Sequence, residues 1–120
     1  MQRLILAAAL VAASAAPAAA QSAKTAPKLS AAAAHGKQLW KTIGCYQCHG
    51  YQGQGSNAGP KLAPQPLPFD AFAGQMRKPR DRMPVYTAKV VPETDLNDLY
   101  AYVQTIPKAR SVAEIPLLNQ

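Results

Sequence analysis

The clearest hydrophobic period lies late in the chain. Leu96, Leu99, Tyr100, Val103 and Ile106 recur at i, i+3, i+4, i+7 and i+10, the stripe of an amphipathic helix. Pro92 suits the first turn, Glu93 and Asp95 suit its positive end, and Pro107 stops it. A second helix is predicted from Ala31 to about Ile43. Its alanine run favours helix, and Ser30 stands where an N-cap belongs. Gly36 and Trp40 share one face of it, so the glycine permits close approach of a neighbour and the indole supplies packing mass. His35, one residue earlier, is expected to point outward as a solvated side chain. A third, shorter helix is predicted from Phe69 to Arg77, where Phe69, Phe72, Ala73 and Met76 keep helical spacing until Pro79.

Between these helices the patterning fails. Glycines at 50, 53, 55 and 59 make the segment ending at Pro60 a loop, and no strand or phosphate-binding Lys accompanies it. Prolines at 64, 66 and 68 predict extended, polyproline-like chain over 61–68. Arg80 to Tyr86 reads as another loop, and the tail after Pro107 shows no pattern. No run alternates as strands do.

The first residues have a different character. Met1-Gln2-Arg3 is cationic, Leu4 to Ala16 is apolar, and Ala18-Ala19-Ala20 has a small-x-small cleavage pattern. That predicts a secretory signal peptide over 1–20, a disordered lead-in over 21–29, one domain over 30–107 and a tail over 108–120. The apolar run is short for a membrane anchor, so no stable membrane insertion is expected after cleavage. The expected location is periplasmic. The 120 residues carry a formal charge of +7, which loss of Arg3 would lower by one. The cations are scattered and no aromatic ladder interleaves with Lys78, Arg80 and Arg82, so nucleic acid is not the expected partner. A diffuse positive surface suits steering toward an acidic protein.

Both cysteines fall in one stretch, Cys45-Tyr46-Gln47-Cys48-His49, which has the c-type haem attachment pattern. Each thiol can add to one haem vinyl, and the adjacent imidazole can bind iron. Haem also brings apolar area to a short, proline-rich chain that would have a marginal core alone. Three plainer readings compete. Zinc wants four ligands, and neighbours Cys48 and His49 cannot easily share one tetrahedral ion even with His35 added. A thioredoxin-like redox pair needs a βαβ context that is lacking. A structural disulfide so local closes a strained loop of little entropic value. For the second axial position two methionines compete. Met76 sits among helical apolar positions, where core filling explains it. Met83 precedes Pro84 in a loop, where a core role is less natural, and it is preferred as ligand.

Across 31–106 the chain resembles a small bacterial class I, monohaem cytochrome c. The resemblance rests on Gly36 and Trp40, on Cys45 to Gly50, on Gly59-Pro60, Arg77-Lys78-Pro79 and Met83-Pro84, and on Leu99 and Tyr102. It implies an all-α fold of three to four short helices and loops wrapped around one covalent haem c. The first helix would pack on the last through Gly36, Trp40, Leu99 and Tyr102. Cys45 and Cys48 would hold the haem, with His49 and Met83 on its iron. The Pro60 carbonyl would accept a hydrogen bond from His49, and Arg77 would pair with a propionate. The proline density of 61–68 departs from the family pattern.

The expected function is periplasmic one-electron transfer to and from protein partners, a dehydrogenase or oxidase with an acidic docking surface. An alternative is a dedicated cytochrome subunit or electron acceptor of a periplasmic flavin, molybdenum or quinone dehydrogenase. The sequence offers no nucleophile, paired carboxylates or acid–base set, and filled axial positions leave no site for substrate, so an enzyme is not expected. The rivals from that class are a haem peroxidase, which needs an open iron position, and a thiol oxidoreductase, which needs free Cys45 and Cys48.

Overall fold

Helices supply the regular structure, as the periodicity predicts. The computed structural model describes residues 28–119. The expected signal peptide, the lead-in up to Pro27 and Gln120 lie outside the described residues. Among the described residues the helices are α1 (Ala31–Thr42), α2 (Cys45–His49), α3 (Phe69–Arg77) and α4 (Glu93–Thr105). The sole β feature among them is an isolated bridge between Ser56 and Gly59.

The cap expected at the start of α1 is present: the Ser30 hydroxyl accepts from the Ala33 N–H at 3.1 Å. Ala33, Gly36 and Trp40 are the buried residues of α1 and lie on one stripe, which packs on α4. A Cβ added to Gly36 would strike the Asp98 carbonyl and crowd the Leu99 nitrogen. The two backbones therefore touch where only glycine fits. In α4, Leu96, Leu99, Tyr102 and Val103 are buried, and Ile106 follows them into the core. Burying each of the aliphatic side chains contributes about 1.5–3 kcal/mol. Pro92 stands at the cap position, one residue before the first helical one.

Two expectations need correction here. The periodicity places Tyr100 in the core stripe, but Tyr102 occupies it, as the resemblance implies. Tyr102 meets Trp40 edge-on at 5.9 Å between ring centroids. Tyr100 is half-buried and sits edge-on to Phe69 at 5.2 Å, with its hydroxyl donating to the Leu67 carbonyl at 3.0 Å. Nor is His35 simply solvated. Its Nδ1 lies 2.7 Å from Asp98 Oδ2, so it ties α1 to α4 beside the Gly36 contact.

The segment 61–68 is less free than a polyproline reading suggests. The N–H groups of Leu62 and Ala63 both donate to the Gly53 carbonyl, at 2.8 and 3.1 Å, and Ala63 is buried. The glycine loop and the proline segment thus brace one another. Past α4 the tail forms two 3-10 turns, Val112–Glu114 and Pro116–Leu118. The Ser111 N–H and hydroxyl both donate to the Glu114 carboxylate, holding that carboxyl below its usual range.

Candidate functional site

Between α1 and α2 the chain turns at Gly44, so that Cys45, Cys48 and His49 lie on one short helix. All three border a cavity of about 950 Å³, near the upper end of ligand pockets, roughly 300–1,000 Å³. Its apolar wall includes Leu62, Phe72 and Leu99. Met83 reaches the same cavity from the loop after α3. Pro60 also borders it. Five of the six residues singled out in the sequence are therefore brought together.

His49 is buried, 8% exposed, beside Trp40 with ring centroids 6.2 Å apart. Its Nδ1 lies 2.8 Å from the Pro60 carbonyl oxygen. A carbonyl can only accept, so Nδ1 carries the proton and a neutral ring keeps its lone pair on Nε2. This is the tautomer and orientation a metal-binding imidazole needs. The carbonyl comes close because of Gly59. A Cβ there would lie 3.0–3.1 Å from the Cys48 backbone and side chain, tighter than ordinary packing. The Ser56 hydroxyl fastens the same loop by donating to the Cys48 carbonyl at 2.6 Å. Trp40 completes the bracing, its Nε1–H donating to the Gly50 carbonyl at 3.2 Å.

Both cysteines are half-buried thiols. Burial pushes the Cys45 thiol up to about 11, with a smaller contribution from Cys48. A thiol so held is a poor thiolate nucleophile at neutral pH. Among the described residues no three His, Cys, Asp or Glu side chains converge on a point that could hold an ion. His35, the further ligand considered for zinc, is engaged with Asp98.

Arg77 is the sixth residue, and it departs from expectation. It does not border the cavity. Its Nη1 donates to the carbonyls of Tyr86 and Val91 at 2.9 and 2.8 Å, and its Nη2 to Glu93 at 3.1 Å. The guanidinium is committed to backbone at the ends of a loop. Arg80 and Arg82 are the cations that do border the cavity. Sequence reasoning also passed over Gln75, whose Nε2 points at the Met83 sulfur at 3.8 Å. Nothing local marked it, since the partner lies eight residues away across a loop. Met76 borders the cavity too, but it is 3% exposed and packs in the core with Trp40, Phe72 and Leu99.

These residues fit a haem. Two half-buried sulfurs stand beside an imidazole of the right tautomer, a thioether shares their cavity, and apolar walls suit a macrocycle.

The comparisons point the same way. A family model described as cytochrome C oxidase, cbb3-type, subunit III, matches residues 31–103. Cytochrome c-555 of Methylococcus capsulatus is 34% identical over 84 residues, covering 68% of this chain. The match spans 65% of that relative's length. No solved structure matches the chain. The chain therefore belongs to the cytochrome c family, within it to the small monohaem class I proteins that carry covalent haem c.

Proposed function

We propose that this protein is a periplasmic one-electron carrier whose haem is attached through Cys45 and Cys48 and ligated by His49 and Met83. The observation that carries the proposal is the meeting of those four side chains at one cavity, with His49 Nδ1 already engaged by the Pro60 carbonyl. When bound, the haem supplies an iron that exchanges one electron between its ferric and ferrous forms. The chain's own part is to hold and shield it. The Pro60 carbonyl fixes the imidazole, Trp40 backs it, and Phe72 and Leu99 wall the cavity from water. Gln75 donates toward the Met83 sulfur, which holds that side chain toward the cavity.

With His49 and Met83 both holding the iron, a substrate would have to displace Met83 to reach it, so the protein is not an enzyme in this reading. A thiol oxidoreductase is disfavoured by the burial of Cys45. Location outside the cytoplasm follows from the signal peptide expected over 1–20. Among the described residues no helix is long and apolar enough to cross a membrane. The partners are redox proteins with acidic docking surfaces. A second reading, service as a dedicated subunit of a larger redox enzyme, has the oxidase-subunit description of the matching family in its favour. Co-purification with a larger enzyme at high salt would select it over a free shuttle.

The test is spectroscopic, on protein exported by a haem-maturing host. A reduced-minus-oxidised visible spectrum of the c type is expected, together with the weak near-infrared Met-to-iron band in the ferric protein. Met83→Ala removes that band if the ligand is Met83. A near-infrared spectrum unchanged by the substitution would sink the ligation.

A further inference from the structure

We propose that Arg77 is a positioning residue, a clasp that holds the 78–91 loop closed and so keeps Met83 at the cavity. The proposal rests on Met83 as the axial ligand. Between α3 and α4 the chain forms no helix or strand, yet it must deliver one thioether to one place. Few bonds hold it. The Tyr86 N–H donates to the Met76 carbonyl at 3.0 Å, and the N–H groups of Val90 and Val91 donate to Thr87 at 3.0 and 2.9 Å.

Arg77 joins these pieces. It sits at the last residue of α3, whose Phe72 and Met76 are buried, so its base is anchored in the core. From there Nη1 reaches the Tyr86 carbonyl, three residues beyond Met83, and the Val91 carbonyl, just before α4. Nη2 reaches Glu93 in the first turn of α4. One planar cation thus fastens the rigid end of one helix, the far arm of the ligand loop and the start of the next helix. A guanidinium suits the task because it stays protonated and presents several donors in a fixed fork. The side chain is half-buried, and bonds from a charged donor to carbonyls there are stronger than neutral ones. Glu93 is 67% exposed, so its share is small beside that of the two carbonyls.

With the clasp removed, the loop opens more often, and Met83 yields its position more readily to an added ligand. The experiment uses exported holoprotein and measures imidazole binding to the ferric form, together with hydrogen exchange at the Val90 and Val91 amides. Arg77→Met is expected to bind imidazole at least about tenfold more tightly than the unsubstituted protein, the effect of losing one charge-assisted bond or more. Its Val90 and Val91 amides should exchange faster, with those of α1 unchanged. Arg77→Lys keeps the charge but cannot span both carbonyls, and is expected to fall between the two. It decides alone if Arg77→Met does not accumulate. Gly36→Ala, which strains the α1–α4 contact instead, should leave imidazole affinity as it is, which separates the clasp from a general loss of stability. An intact near-infrared band with unchanged imidazole affinity in the Arg77 variants overturns the clasp alone. A missing band in the unsubstituted protein overturns the Met83 ligation and, with it, the purpose assigned to Arg77.

Discussion

At the residue scale, Gly36 gives a test whose sign is informative. Replacing glycine by alanine inside a helix ordinarily stabilises it by roughly 0.5–1 kcal/mol. Here the new Cβ would strike the Asp98 carbonyl, so Gly36→Ala is expected to destabilise the holoprotein by about 1–3 kcal/mol. Urea unfolding checks it, and a gain in stability would mean the helices are not in contact there. The two methionines divide in the same way. Met76→Ala removes a core side chain that is 3% exposed and should cost about 2–5 kcal/mol while leaving the near-infrared band in place. Loss of the band in Met76→Ala would give the ligand role to the wrong side chain. Much at this scale was legible in the sequence, because the Cys45 to His49 spacing is local and the haem pattern is specific. His35, Gln75 and Arg77 were not, because their partners lie 63, 8 and up to 16 residues away, and no periodicity encodes a partner.

At the scale of elements, α1 and α4 form the frame, while the short α2 and the loops carry the chemistry. Helix bounds followed closely from caps and prolines: Ser30 opens α1, and Pro107 follows the end of α4. Periodicity alone does not separate Tyr100 from Tyr102, since both fit a broad stripe; the packing against Trp40 selects Tyr102, the residue that the family resemblance names. The frame should also respond to alkali. Burial raises the Tyr102 hydroxyl above its usual value near 10, and that hydroxyl donates to the Tyr51 carbonyl at 3.3 Å. The unfolded chain therefore loses this proton at lower pH than the folded one. Stability is unaffected by the group below the unfolded value and falls as pH climbs from there through the raised folded one. The urea midpoint should drop above about pH 10 in the unsubstituted protein and drop less in Tyr102→Phe. Equal slopes for both proteins would show that Tyr102 contributes nothing to the alkaline limb. The 61–68 segment shows the opposite limit of sequence reading. Its prolines predicted extension, but they did not reveal that the Gly53 carbonyl would capture two of its N–H groups.

At the scale of the whole molecule, charge and cavity act together. The formal charge of +7 on 120 residues, one less without Arg3, would raise encounter rates with the acidic partners proposed above. Screening shortens from about 30 Å at 0.01 M salt to about 8 Å at 0.15 M. Electron transfer to an acidic protein partner, followed by stopped flow, should slow steeply across that interval, and a rate indifferent to salt would argue for apolar docking instead. The cavity asks more of the chain than the helices do, since its walls come from all four helices and from the loops on either side of α3. A covalent haem in it would add apolar area to the core of a short and proline-rich chain. The most direct measurement is the intact mass of protein exported by a haem-maturing host, taken with an alkylating reagent present. The expected result is the polypeptide plus one haem, with neither Cys45 nor Cys48 alkylated. A bare polypeptide carrying two alkyl groups would contradict it.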